Sequence, residues 1–279
     1  MDLDIEHLRG WIGKTETMSE RLTPNLVTRF NATLDQDAPG QAGDEAPLMI
    51  HFCLAQPVAP ASRLGHDGHP RRGGFLPPVP LPRRMWAGGE ISFLASLVID
   101  ETVTRTSRIE DVVVKQGRSG RLCFVTVMHE YSSAGRLAVR ERQDVVYRDA
   151  PSETGGTASK PDPAPTGETS RHVTADATML FRYSAITFNG HRIHYDTPYA
   201  RNDEGYGGLV VHGPLQATLM AHMAADLRGE PPKRFAFRGL SPLFDGTRFA
   251  VHAAESETGL SLWTARDGGP VAMQGQAIW

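Results

Sequence analysis

The stretch FNGHRIHYD, residues 188–196, carries two histidines three positions apart, His191 and His194, between Asn189 and Asp196. Imidazole is the side chain whose ordinary pKa lies nearest neutrality, so a histidine here can accept a proton and return it. The Asn189 amide can orient a water or a carbonyl, because it both donates and accepts hydrogen bonds. His191, His194 and Asp196 are also metal-ligand types. However, His-x-x-His is not the i, i+4 pair that presents two imidazoles from one helix face, and no further ligand stands at a usual spacing. No metal is therefore expected. A hydrated polar loop is the third reading, and Gly190 fits it.

A second stretch bears on the choice. In GLVVHGPLQATLM, His212 and Gly213 stand just before a helix signal, with Pro214 at a first-turn position. The first N–H groups of a helix have no internal partner and carry the positive end of its dipole. A glycine there lets a ligand approach the backbone, so the Gly213 N–H can face a carbonyl oxygen that gains charge. The plainer reading is that Gly213 only permits a tight turn. Beside this helix start, the base reading of the histidine loop gains over the polar-loop reading.

The elements that must hold these residues are legible in part. Leu215, Leu219 and Met223, with Met220 and Leu227, mark an apolar helical stripe that Gly229 and Pro231-Pro232 end. Ala217, Ala221, Ala224 and Ala225 keep that helix slim enough for a sheet to close around it. Strand patterns follow it to the C-terminus. Earlier in the chain, Thr23-Pro24 predicts a helix start, and PLMIHFCLAQP (Pro47 to Pro57) has the apolar content of a buried helix. The segments Leu122 to Met128 and Leu137 to Tyr147 read as strands around a turn at Ser132 to Gly135. Residues 151–170 are rich in Pro, Gly, Ser and Thr and predict a flexible linker between a domain at 1–150 and another at 171–279. Both parts read as a helix followed by strands, which suggests a duplicated unit of α+β class.

Composition narrows the function. With 40% hydrophobic and 22% charged residues the chain is an ordinary globular sequence. A net charge of -3 gives no bulk support for a nucleic-acid partner, although local arginine clusters can still bind a small anion. The two cysteines, Cys53 and Cys123, form no disulfide framework or CxxC pair. No signal-peptide pattern and no membrane-length apolar run is present, so a cytoplasmic location is expected.

The run YSAITFNGHRIHYDTPYA, followed by VVHGPLQATL, resembles the hydratase motif of MaoC-like hot-dog proteins. That motif reads roughly Gly-Asp-x-Asn-Pro-[Ile/Leu]-His, with a His-Gly at the start of the central helix. Its His falls on His194, its Asp on Asn189, its Asn on His191, its Pro on Arg192 and its helix-start Gly on Gly213. The run LGHDGHPRRGGFLPPVPLPRRMWAGG resembles the dehydratase-like first half of mesaconyl-C4-CoA (3-methylfumaryl-CoA) hydratases. The resemblance implies a double hot-dog fold, with two central helices each wrapped by a curved antiparallel sheet. It also implies a coenzyme A thioester substrate, no metal or redox cofactor, and a homodimer.

The chemistry so implied is reversible addition of water to an enoyl-CoA, with mesaconyl-C4-CoA giving citramalyl-CoA as the leading substrate. His194 is then the base, Gly213 N–H the oxyanion donor and Asn189 the group that places water, since Asn cannot itself act as the base. Asp196 is a candidate to orient the His194 ring. Arg192, His191 and His212 are expected to touch substrate, with Arg192 as a clamp for a free carboxylate and Arg71, Arg72, Arg83 and Arg84 as rivals. Itaconyl-CoA hydratase and 3-hydroxyacyl-thioester dehydratase share this chemistry. An acyl-CoA-binding protein with a decayed site is the non-enzyme alternative, which Asn189 keeps open.

Overall fold

The computed structural model describes residues 3–117, 120–149 and 161–279. Ten antiparallel strands form one sheet around a slim helix. The first five are β1 (Thr15–Arg21), β2 (Arg83–Phe93), β3 (Thr102–Gly117), β4 (Gly120–Ser133) and β5 (Arg136–Arg148). The second five are β6 (Thr169–Thr174), β7 (Arg234–Gly239), β8 (Arg248–Ser256), β9 (Gly259–Arg266) and β10 (Val271–Ile278). The sheet runs β1-β3-β4-β5-β2-β7-β10-β9-β8-β6. Each set of five is therefore ordered first, third, fourth, fifth, second, and the two second strands join them. That shared order is the topological mark of a repeated unit.

The joint is the antiparallel pair β2–β7, from Gly88↔Arg238 to Ser92↔Arg234. A Cβ on Gly88 would run into Phe237 O and one on Gly89 into Arg142 O, so the glycines let three strands pack at this seam.

Helix α1 spans Ile5–Arg9 and helix α2 spans Pro24–Thr33. Thr23 caps α2 by accepting from Leu26 N, and Pro24 opens it, as its sequence predicts. Helix α3 (Ala177–Ile186) begins at Asp176, which accepts from Met179 N at 2.8 Å. Helix α4 spans Thr197–Asn202 and helix α5 spans Gly213–Arg228. Gly229, at φ 75°, ends α5 in the left-handed region, where a side chain is disfavoured. Ala217, Ala221 and Ala224 are buried as the strands β7–β10 curl around α5, and one core joins them to Phe30, Ile91, Phe235 and Phe249.

Two expectations are corrected. The stretch from Pro47 to Pro57 forms only a 3₁₀ turn at Ile50–Cys53. Met49 (φ 68°) and Ala55 (φ 51°) take left-handed backbone on either side of it, which prevents helix propagation. Among the described residues the first unit thus has no counterpart as long as α5, and the carbonyl of Leu48 instead accepts from His222 Nε2 of α5 at 2.8 Å. In the second unit a strand, β6, precedes the first helix, α3, whereas the first unit opens with α1 ahead of β1 as its sequence predicts.

Of the expected linker, residues 151–160 lie outside the described residues. The remainder is tied down. Ala164 N donates to Gly269 O (2.7 Å), Trp263 Nε1 donates to Pro165 O (3.0 Å), and β6 takes Thr169 and Ser170.

Candidate active site

The histidine loop is shaped by its own backbone. Asn189 N donates to Ser184 O (2.8 Å) at the end of α3, and Asn189 Oδ1 accepts from His191 N (3.0 Å). This closes an Asx turn, and a 3₁₀ turn follows over Arg192–His194. Asp196 does not reach His194. Its Oδ1 caps α4 by accepting from Tyr199 N (3.1 Å), and its Oδ2 accepts from Arg192 (2.8 and 3.0 Å).

His194 is almost fully buried, and its Nδ1 lies 2.7 Å from Val210 O. A carbonyl only accepts, so Nδ1 carries the proton and Nε2 keeps a free lone pair. Burial pushes its pKa down to about 4, against a smaller upward pull from the Val210 carbonyl. It is therefore neutral at pH 7, the form a base requires.

His212 stacks on that ring, with centroids 3.6 Å apart and planes at 17°. Its Nε2 lies 2.8 Å from Ser184 Oγ. It has no exposed surface, and burial holds its pKa well below the ordinary value. His212 therefore backs the His194 ring instead of opening onto a ligand. The next residue is Gly213, the first of α5, and none of the hydrogen bonds of the described residues uses its N–H. A Cβ on Gly213 would lie 2.7 Å from Cε3 of Trp86, which reaches across from β2.

The first unit adds residues the sequence reading passed over. His191 faces His194 edge-on at 5.5 Å and His69 at 4.4 Å, making a file of four imidazoles from His69 to His212. Asp67 holds His69 by accepting from its N and from its Nδ1, both at 3.0 Å. The loop bearing them docks on the histidine loop. Arg192 N donates to Asp67 O (3.0 Å), and a Cβ on Gly68 would run into Gly190 O. The only sequence signal was HDGH, an acid between two histidines in a Gly- and Pro-rich run.

Arg192 is already engaged. Its guanidinium holds Asp196, donates to His66 O (3.1 Å) and lies over the Tyr199 ring at 4.2 Å.

Asp67, His69 and His191 have the donor types and mutual spacing, within 4.8 Å, that a metal ion needs. The electrostatics oppose that use. Both Asp67 oxygens are taken by His69, and the positive charge of Arg84 reaches all three residues. A cation there would meet the charge of Arg84 and compete with the His69 donors for Asp67, which disfavours a metal.

A buried neutral base beside a helix N-terminus is the equipment for moving water on or off a polarised double bond. A family model for hydroxyacyl-thioester dehydratase type 2 matches residues 48–245. The chain belongs to the hydroxyacyl-thioester dehydratase type 2 family. Like others in that family it is a hydro-lyase.

The mesaconyl-C(4)-CoA hydratase of Chloroflexus aurantiacus is 40% identical over 269 residues, covering 95% of each chain. The mitochondrial hydroxyacyl-thioester dehydratase type 2 of Schizosaccharomyces pombe is 28% identical, covering 90% of this chain and 87% of its own. Among solved structures, a MaoC-like dehydratase from Phytophthora capsici superposes with a TM-score of 0.70 at 12% identity, over 99% of each chain. A Mycobacterium tuberculosis protein described as a double hot-dog fold matches with a TM-score of 0.57 at 11% identity, over 95% of this chain and 94% of its own. This family member therefore has the MaoC-like double hot-dog fold expected from its motifs. Among its described residues, no helix is long and apolar enough to cross a membrane.

Proposed function

We propose that the protein hydrates mesaconyl-C4-CoA to citramalyl-CoA, with His194 as the base. One observation carries the assignment. His194 donates through Nδ1 to Val210 O, which leaves Nε2 as a neutral acceptor in the file of rings that ends at the start of α5.

His194 Nε2 takes a proton from water as the water oxygen bonds to the β-carbon. The π electrons move toward the thioester oxygen, and the Gly213 N–H donates to the enolate that forms. The His194 imidazolium then protonates the α-carbon, and the enolate returns to the thioester. Water has been added across the double bond and the base is restored. Proton transfer by a placed histidine is worth about 10²–10⁴-fold, and one oxyanion donor about 10²–10³-fold.

Asn189 sets the loop and offers its amide N–H₂ to water. His191 lies along the acyl group, and His212 keeps the base in plane. Arg192 acts by holding the loop shape through Asp196. No metal or redox group enters these steps.

The 28% identity to a mitochondrial dehydratase keeps a 3-hydroxyacyl thioester as the second reading, since the same steps run backward. Units at 1–150 and 171–279, a cytoplasmic location and a homodimer complete the proposal. Exposed Phe181 and Phe188 give such a dimer apolar surface. Loss of the enoyl-thioester absorbance is the test. Mesaconyl-C4-CoA should be hydrated with the highest kcat/KM among mesaconyl-C4-, itaconyl- and crotonyl-CoA, and a clear preference for either of the others overturns the substrate assignment.

A further inference from the structure

The substrate just proposed carries its free carboxylate on the same carbon that water attacks. A group that reads this carboxylate must therefore stand within a few ångströms of the base, and the arginines near the site can be sorted by what they already hold.

Arg71 Nε donates to Leu64 O (3.3 Å). Arg72 donates to Val79 O (2.6 Å), Leu81 O and Pro82 O (2.7 Å), so it straps its own loop. Arg83 is buried against Glu204 (2.7 Å) and lies over Tyr206. Arg192 holds Asp196. Arg84 differs. Among the described residues it forms no ion pair and no bond to a backbone carbonyl, and it lies opposite Tyr147 in the β2–β5 register. The Asp67 carboxylate feels the charge of this half-buried guanidinium, but among the described residues no carboxylate pairs with it directly, so its demand for an anion is only partly met.

Trp86 supplies a second, independent observation. It follows Arg84 by two residues on β2, so both side chains leave the same face of the strand. Its ring edge rests on Gly213, yet its Nε1 is buried without a hydrogen-bond partner. Buried indole N–H groups normally find an acceptor, and leaving one unmade costs about 1–3 kcal/mol. Asp67, whose oxygens accept from His69, forms no direct ion pair with Arg84 and gives the Trp86 Nε1 no partner.

We propose that Arg84 and Trp86 form a carboxylate subsite, in which the guanidinium and the indole N–H donate to the free carboxylate of the acyl group that His194 hydrates. This rests on the reading of the protein as a hydratase of a C4 acyl-CoA with a free carboxylate. Trp86 rests on Gly213, the residue after His212, and His212 stacks on His194, which places the subsite beside the end of the file of rings that holds the base. The first unit then sets which acyl group is accepted, and the second performs the chemistry.

The test compares the full-length wild-type enzyme with Arg84→Gln, Arg84→Lys and Trp86→Phe. kcat/KM is measured on mesaconyl-C4-CoA and on crotonyl-CoA, which lacks the carboxylate. Ki is measured for succinyl-CoA and butyryl-CoA, a saturated pair differing in the same way. In Arg84→Gln the mesaconyl-to-crotonyl ratio should fall about thirtyfold or more, as for loss of a charged hydrogen bond. The succinyl-CoA Ki should rise by a similar factor relative to butyryl-CoA. Arg84→Lys keeps the charge without the fork and should fall between. Trp86→Phe should lower the ratio about fivefold, as for loss of one neutral hydrogen bond.

Equal losses on both substrates, or an unchanged Ki ratio, overturn the subsite. Should Arg84→Gln fail to fold, the Lys variant and the inhibitor ratios decide. Wild-type enzyme that hydrates crotonyl-CoA but not mesaconyl-C4-CoA also overturns the subsite. Wild-type enzyme that hydrates neither overturns the hydratase reading itself.

Discussion

The His194 imidazole lies flat on the His212 imidazole, ring centroids 3.6 Å apart, and His194 alone holds a backbone carbonyl through Nδ1. Two stacked imidazoles, one fully buried and the other almost so, resist a positive charge on either ring. Their neighbours add to this, because His69 acts on His194, and His191 and His194 act on His212, all lowering the tendency to protonate.

The pH profile should show it. Burial holds His194 at about 4, and the base must be neutral to take a proton from water. Activity is therefore lost only as the pH falls through about 4. The acidic limb of log kcat/KM against pH should lie well below 6.5, and a limb at the ordinary histidine value would contradict the assignment.

Stability should follow a related course. Burial holds His51 and His129 at about 3 and His69 at about 4, while His191, His212 and His222 are also lowered. In the unfolded chain these groups bind protons near pH 6.5, so the unfolded state takes up more protons as pH falls below that value. Stability is then lost between about 6.5 and 3. Glu141, raised to about 8 by burial, acts in the opposite direction, but it is one group against several. Thermal melts from pH 7.5 to 4.5 should show Tm falling steeply below 6.5, and a flat Tm would contradict this count.

Much of the scaffold was legible in the residues. Thr23-Pro24 marked the start of α2, Pro214 and Gly229 bracketed α5, and the turn at Ala134-Gly135 joined β4 to β5, because each signal acts within a few residues. His194 and Gly213 were singled out by the family resemblance and not by local signals, and the structure brings the two to one place, with His194 stacked on the residue before Gly213. The 3₁₀ turn at Ile50–Cys53 was not, since apolar content does not register the left-handed backbone at Met49 and Ala55. Asp67 and His69 were missed because they reach the site through docking of a loop more than a hundred residues away in sequence, through backbone bonds that no side-chain pattern encodes.

Asn189 should prove a positioning residue whose acceptor matters most. Aspartate at this position can still accept from His191 N, whereas alanine cannot. Asn189→Asp should keep kcat/KM within about tenfold of wild type. Asn189→Ala should lose the turn, about 1 kcal/mol of stability and a larger share of activity. Equal behaviour of the two variants in a melt and an activity assay would count against the Asx turn.

Gly213→Ala tests the contact between the two units. The added Cβ would lie 2.7 Å from Trp86 Cε3, so the indole must move. Overpacking of this kind costs about 1–3 kcal/mol. The variant should lower Tm, shift Trp emission and reduce kcat/KM about tenfold or more. Unchanged emission and activity would contradict the packing of Trp86 on the start of α5.

The most direct test of the account is kcat/KM of His194→Ala on mesaconyl-C4-CoA, followed by loss of the enoyl-thioester absorbance, in a variant whose circular dichroism matches wild type. Removal of the base predicts a fall of about 10²–10⁴-fold. A folded His194→Ala enzyme that stays within tenfold of wild type would contradict the account.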